Sequence, residues 1–307
     1  MSLKGSIDIG SNSVLLLIGN LESSSFESLA NESTVTCLGK DLDKTGYFDP
    51  DSMEYTFETL KRYSEISKSL GLDPSEIIAT ATEASRVAKN AKSFFERVKS
   101  ETGINVHVIS SAGEAYYSTK GITFNSEFDE DIIHIMDIGG ASTELITFDR
   151  VREEILHDFS LPLGAVRLTN WKEEGCLGEN IDEVLKNFSE DLNKASAKKL
   201  YCVAGTMTSV GNMYLGHKDF VEKEVHGLEI MTEVILDFVS SYKNNTTSEL
   251  LESFPFLGKR AETILGGLSV ARIIFDQLSV EVIEISTYGL RYGTLESGGI
   301  KSEYIVK

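Results

Sequence analysis

The same order of apolar and polar positions occurs at two distant places in this chain. Near the start, Ile7-Asp8-Ile9-Gly10-Ser11-Asn12-Ser13 brings an apolar run to an aspartate, turns through glycine and small polar residues, and re-enters an apolar run at Val14. Much later, Asp137-Ile138-Gly139-Gly140-Ala141-Ser142-Thr143-Glu144-Leu145 does the same. Each predicts a strand, a tight turn and a returning strand, with backbone N–H groups at the turn that no side chain screens. Two such elements suggest two related half-molecules whose turns face each other across a cleft, an arrangement suited to a phosphate chain and a divalent metal.

The periodicity elsewhere fits that reading. Residues 5–21 read as a hairpin and 26–38 as a third strand after the serine turn at 23–25. Asp49-Pro50-Asp51 opens a helix through residue 69, with Met53, Phe57, Leu60 and Tyr63 at helical spacing. Strand 77–81, helix 83–101, strand 105–109 and helix 111–121 then alternate, which argues for an α/β unit with parallel strands. An acidic stretch at 124–131 marks a boundary, so the expected domains are 1–124 and 125–307, with the terminal helix free to pack back on the first. In the second half, runs at 132–138, 144–148 and 155–163 repeat the opening meander. The pattern continues as helix 181–197, strand 200–204, a potential phosphate or nucleotide turn at 205–209, helices 228–240, 247–254 and 261–277, strand 280–286 and helix 290–297.

Composition narrows the function. The chain has 307 residues, 41% of them hydrophobic, and only 4 prolines, which suits two packed domains and gives no reason to expect disorder. No run approaches the roughly 18 apolar residues that span a bilayer, and the first residues lack the apolar stretch of an export signal. Cys37, Cys176 and Cys202 are odd in number and far apart, so they read as ordinary thiols in a reducing compartment, and the expected location is cytoplasmic. The formal charge of −19 makes long nucleic acids and anionic membranes poor partners.

The two turns supply most of the candidate chemistry. Asp8 and Asp137 occupy matching strand ends, where a carboxylate can hold Mg²⁺ or another divalent cation directly or through water, or cap the loop that follows. Asp137 is the stronger metal candidate, because Glu144 returns on the next strand. Gly10, Ser11, Asn12 and Ser13 on one side, and Gly139, Gly140, Ser142 and Thr143 on the other, can bind phosphate oxygens or simply shape the turns. Arg86, after strand 77–81, is either a phosphate clamp or an exposed helix residue. Glu114, early in the helix after strand 105–109, is either the general base or a solvated first-turn carboxylate. The chain has no HExxH, no zinc-type cysteine spacing and no GxxxxGK[ST] loop.

These motifs resemble the exopolyphosphatase/guanosine pentaphosphatase family, within the actin-like, Hsp70-like and sugar-kinase-like superfamily. Further marks are Thr82-Glu83-Ala84-Ser85-Arg86, Pro162-Leu163-Gly164-Ala165-Val166-Arg167-Leu168, Arg260-Ala261-Glu262 and Tyr288-Gly289-Leu290-Arg291-Tyr292-Gly293. The resemblance implies duplicated actin-like (ribonuclease H-like) α/β domains with an interdomain cleft, in a short two-domain form. It implies Glu114 as catalytic base, Asp137 and Glu144 around a Mg²⁺, Arg86 on substrate phosphate, and the two turns as phosphate loops. The implied reaction releases terminal phosphate from polyphosphate or guanosine pentaphosphate, with a homodimer as the implied assembly. The family usually carries Gly where Ser111 and Ala141 stand, Glu at Gly113, Arg at Tyr116 and Asp at Thr287. Those departures keep open a catalytically weak sensor of polyphosphate or alarmone, and the superfamily keeps open a small-molecule kinase.

Overall fold

The computed structural model describes residues 2–22, 25–124, 126 and 128–306. Ser23 and Ser24 of the expected serine turn, and Asn125 and Glu127 of the expected acidic boundary, lie outside the described residues. The fold is α/β. Its contacts divide into two compact units, one formed by Met1–Glu127 with Gly289–Lys307 and the other by Phe128–Tyr288.

The first unit is built on a five-stranded sheet of β1 (Ser2–Ile9), β2 (Ser13–Glu22), β3 (Ser25–Val35), β4 (Ile78–Ala81) and β5 (Val106–Val108), in the order β3-β2-β1-β4-β5. The first three strands form an antiparallel meander, and β4 and β5 add parallel to β1. The Pro50–Ser69 helix starts as its sequence predicts. Pro50 occupies the first turn and the Asp49 carboxylate accepts the Ser52 N–H at 2.9 Å. Phe57, Leu60 and Tyr63 are buried on its inner face, and the Tyr63 hydroxyl donates to the Val14 carbonyl.

The Leu290–Ser297 helix completes this unit. It lies against the Ser111–Thr123 helix so closely that a methyl group at Gly293 would overlap the Tyr117 carbonyl, and one at Gly121 the Gly289 carbonyl. Two hydrogen-bonding groups fix it to the sheet. The Ser6 and Thr294 hydroxyls meet at 2.7 Å, and Arg291 Nη1 donates to the Leu16 carbonyl and to Asn31 Oδ1.

The second unit has a six-stranded sheet of β6 (Ile132–Ile138), β7 (Thr143–Asp149), β8 (Glu154–Leu161), β9 (Lys199–Val203), β10 (Leu228–Met231) and β11 (Val282–Ile285), in the order β10-β11-β9-β6-β7-β8. Again three strands, β6 to β8, form an antiparallel meander, and β9 and then β11 add parallel beyond the first of them. Every residue of β7 is buried, as expected of a strand covered on both faces.

Several expected elements differ. Residues 228–240 are not one helix: Leu228–Met231 pairs antiparallel with β11, and the helix begins at Thr232. Pairing with a sheet edge outweighs the helical spacing there. The helix expected at 83–101 is two, Glu83–Val87 and Ala91–Thr102. Its break serves a neighbouring loop, since Asn90 exchanges side-chain hydrogen bonds with the Phe48 backbone and Lys89 N–H meets the Gly46 carbonyl. Residues 181–197 divide into Leu177–Asn187 and Ser189–Lys194, and 261–277 into the Pro255–Glu262 3₁₀ segment and the Ile264–Leu278 helix. The turn expected at 205–209 is the opening of the Ala204–Tyr214 helix. A helix not anticipated from the periodicity, Ala165–Glu174, follows β8.

Gly293→Ala should destabilise the first unit by about 1–3 kcal/mol, because the added methyl meets backbone that cannot rotate away. Urea unfolding checks this, and an unchanged midpoint would show that the two helices separate at no cost.

Candidate active site

The two strand-end turns are built alike. Gly10 N–H donates to the Ser13 carbonyl at 2.9 Å, and Gly139 N–H donates to the Ser142 carbonyl at the same distance. In the ladders, Ile9 stands opposite Val14 and Ile138 opposite Thr143. The carbonyls of each turn are taken up by a following segment. In the first, Ser11 accepts from Gly39 N–H, and Asn12 accepts from Thr36 and Cys37 N–H. In the second, Gly139 accepts from Ala165 N–H, and Gly140 accepts from Val166 and Arg167 N–H at the start of the Ala165–Glu174 helix. Arg167 Nη1 also donates to the Ala141 carbonyl. Gly164 must be glycine, because a Cβ would strike the backbone of Gly140 and Ala141.

The hydroxyls of the second turn already have work in this state. Thr143 Oγ1 donates to the Leu163 carbonyl at 2.6 Å, and Ser142 Oγ donates to Glu144 Oε1 at 2.7 Å. Glu144 Oε1 also accepts from Ser160 Oγ at 2.8 Å. Asp137, Glu144 and Ser160 are direct neighbours across β6, β7 and β8, so they form one cross-strand row. Ser160 carries no mark of its own in the sequence, since its partner on β7 cannot be read without the register.

In the first unit the candidates gather at the carboxyl-end rim of the parallel strands. Thr82 N–H meets the Ile9 carbonyl and Ile109 N–H meets the Ala81 carbonyl, which brings the ends of β1, β4 and β5 level. Arg86, in the last turn of the Glu83–Val87 helix, sends Nη1 to Glu114 Oε2 at 2.9 Å and to the Ile109 carbonyl at 2.9 Å. Glu114 is only 8% exposed. The helix that carries it is capped by Ser110, whose Oγ accepts the Gly113 N–H. Thus the sequence-nominated clamp and base form a mostly buried ion pair, a link that no spacing rule could reveal across 28 positions.

Asp8 reaches solvent in part, but its Oδ1 is buried and has no hydrogen-bond partner among the described residues. Burial pushes its carboxyl up to about 6, against the opposing pull of Arg291. Arg291 and Arg167 belong to motifs visible in the sequence, yet their roles, a field on Asp8 and a hold on the Ala141 carbonyl, emerge only from the fold.

The donor chemistry suits a divalent cation that arrives with phosphate. Among the described residues no group of three or more His, Cys, Asp or Glu could hold a metal unaided. Mg²⁺ commonly uses one or two carboxylates and completes its shell with water and substrate oxygens. The Asp137 and Glu144 pair matches that need, and the orphaned Asp8 oxygen is of the same kind.

The family model described as the Ppx/GppA phosphatase family matches residues 17–298. This chain belongs to that family. Among solved structures it is similar to an exopolyphosphatase from Cytophaga hutchinsonii, at 25% identity and a TM-score of 0.85, over 97% of this chain and 99% of that one. It is also similar to the Aquifex aeolicus Ppx/GppA family member, at 28% identity and a TM-score of 0.76, over 96% of each chain. A curated relative, the bifunctional 3-dehydroquinate synthase/phosphatase of Fusobacterium nucleatum, is 28% identical over 96% of this chain. The chain spans 46% of that relative's length.

The departures from the Ppx/GppA pattern have local explanations. Ala141 does not take positive φ, so its methyl group is no strain on the turn. At Gly113 a Cβ would lie 2.7 Å from Tyr304 Cβ, which leaves no room for a side chain. Tyr116 packs its ring on Tyr304, with Lys301 Nζ 4.2 Å from the ring centre. Thr287 directs its N–H to His226 Nδ1 at 3.2 Å. Nothing in the structure explains Ser111.

The raised Asp8 carboxyl has a consequence for stability. Folding favours the protonated form, so the benefit is present below about pH 4 and is lost as pH rises through about 6. Asp8→Asn should therefore stabilise the protein at pH 8, by about 3 kcal/mol at most, and change little at pH 4. Denaturant unfolding at the two pH values checks this, and an equal effect at both would disprove an ionised, desolvated Asp8.

Proposed function

We propose that this chain is an exopolyphosphatase-type hydrolase, releasing terminal phosphate from inorganic polyphosphate or guanosine pentaphosphate. The observation that carries the proposal is the Ppx/GppA family match over residues 17–298. The similarity to an exopolyphosphatase structure supports the same reading. Its architecture is then a duplicated actin-like, ribonuclease H-like fold, supported by the two matching turns and the two meander-plus-parallel strand orders. The two-domain division at about residue 124, with the last helix returning to the first domain, belongs to the same reading and is supported by the contacts of Leu290–Ser297.

Glu114 acts as general base, taking a proton from the attacking water as the terminal P–O bond breaks. Arg86 holds that carboxylate in place before substrate arrives. Its Nη1 is committed to Glu114 and Ile109, while Nε and Nη2 remain to meet phosphoryl oxygens in the planar geometry that guanidinium favours. The Gly10–Ser13 and Gly139–Thr143 turns offer phosphate oxygens the N–H groups they do not use internally, a reading supported by the Ser11, Asn12, Gly139 and Gly140 carbonyls being taken up by neighbouring segments. Asp137 and Glu144 would hold Mg²⁺, which when bound neutralises charge on the phosphate oxygens. Asp8 serves the phosphate side of the first turn through such a cation.

Charge and cysteine usage support a cytoplasmic enzyme that avoids long nucleic acid, and among the described residues no helix is long and apolar enough to cross a membrane. A homodimer rests on family resemblance alone. The Arg86 pairing favours one rival, a sensor that binds phosphate without turnover, because an ion-paired carboxylate is a poorer base until the anion draws the guanidinium away. Sustained multiple turnover excludes that rival, and parallel kinetics on short polyphosphate, long polyphosphate and guanosine pentaphosphate identify the substrate.

Glu114→Gln keeps an oxygen for Arg86 but cannot take a proton. It should bind substrate normally and lose about 10²- to 10⁴-fold in turnover. Phosphate release at saturating Mg²⁺ measures this, and wild-type turnover would rule Glu114 out as base.

Arg86→Lys keeps the charge and loses the planar fork, so kcat/KM should fall about tenfold or more with the fold intact. A rise in KM alone assigns Arg86 to ground-state binding, and a fall in kcat assigns it to the transferring phosphoryl. An unchanged kcat/KM across Mg²⁺ concentrations would leave it only a structural part.

A further inference from the structure

The first turn of the helix that carries Glu114 is held from outside by residues 301–306. Ser110, its N-cap, gives its backbone N–H to the Tyr304 carbonyl at 2.8 Å. Gly113, the residue before Glu114, lies under Tyr304. A side chain there would come within 2.7 Å of Tyr304 Cβ and 3.1 Å of its ring. One turn further, the Tyr117 hydroxyl accepts the Lys301 N–H at 2.8 Å. The Tyr304 ring packs against Tyr116 and Tyr117, with ring centres 5.2 and 5.9 Å away. The segment is anchored on the strand side too, through an antiparallel bridge from Ile305 to Ile109 and a bond from Val306 N–H to the Val108 carbonyl.

Helix first turns are the part most prone to fraying, because their N–H groups lack partners within the helix. Here the far end of the Glu114 side chain is fixed by Arg86, itself tied to the Ile109 carbonyl. The near end depends on where the first turn sits. Tyr304 touches that turn at two points, the cap N–H and the Gly113 backbone, and its ring closes over the next aromatic pair.

We propose that Tyr304 is a positioning residue for Glu114, setting the height of the first helical turn so that the carboxylate meets both Arg86 and the attacking water. This rests on the reading of Glu114 as general base. Tyr304 touches no reacting atom in this scheme; its ring, packed on Tyr116 and Tyr117, keeps its backbone carbonyl on the Ser110 N–H and its Cβ over Gly113. Gly113 is then the partner position, kept small so that Tyr304 can close.

The test compares wild type, Tyr304→Ala and Tyr304→Phe by steady-state phosphate release and by hydrogen exchange of the 110–115 amides in the full-length protein. Tyr304→Ala should lower kcat about tenfold with KM changed less than about twofold, since small misplacement of a catalytic group costs rate more than affinity. Exchange should rise at 110–115 and stay constant elsewhere in the unit. Tyr304→Phe keeps the ring and should restore both readouts. A wild-type kcat in Tyr304→Ala would overturn the proposal, and so would a loss that Tyr304→Phe shares or a rise in exchange across the whole unit. Should wild type release no phosphate, the hydrolase reading falls, and the exchange at 110–115 alone decides whether Tyr304 positions this turn.

Discussion

The carbonyls of the two strand-end turns find their donors in neighbouring segments, and much of this chain is arranged around that pairing. Residues 36–39 supply it at the first turn, and the opening N–H groups of the Ala165–Glu174 helix supply it at the second. The helix benefits in return, because its first donors, which have no partner inside the helix, find one in the loop. The same contact dictates glycine at positions 39 and 164, where the approaching backbone leaves little or no space for a Cβ. Sequence marks that lie far from either turn are thus there to hold the turns.

Three of the candidate carboxylates, two in the first unit and one in the second, sit in three kinds of environment. Glu144 is oriented by two hydroxyl donors, Glu114 by a guanidinium, and Asp8 has one oxygen buried with no partner among the described residues. Environment and not residue type separates them. A hydroxyl-held carboxylate keeps one direction, which suits a metal ligand. A carboxylate paired with a guanidinium that is itself tied to a backbone carbonyl is held at one oxygen. A desolvated one is costly until a cation reaches it.

How much of this was legible in the sequence follows from the range of the interactions. The hairpins around Gly10 and Gly139 were readable because their hydrogen bonds join residues three apart, and the Pro50–Ser69 helix because Asp49 and Pro50 signal its start locally. The α/β class followed from the alternation of such elements. What escaped was set by distant partners. Leu228–Met231 has a helix-compatible sequence and becomes a strand because β11 offers an edge. The break at residues 88–90 exists for the loop at 46–48. Glu114 and Arg86 were each visible as candidates, but their pairing was not, nor was the commitment of the Thr143 hydroxyl to Leu163. A resemblance to a family supplied roles that periodicity alone left open.

The returning Leu290–Ser297 helix makes the first unit discontinuous along the chain. The Ser6–Thr294 bond joins residues 288 positions apart, and Arg291 reaches the second and third strands of the opening meander. A fragment ending at the unit boundary therefore lacks the helix that covers Ser6 and fills the groove at Gly121, however well its strands pair. Only the second unit is written in one uninterrupted stretch. On the ribosome, the opening strands of the first unit must wait for their covering helix until the whole of the second unit has been made.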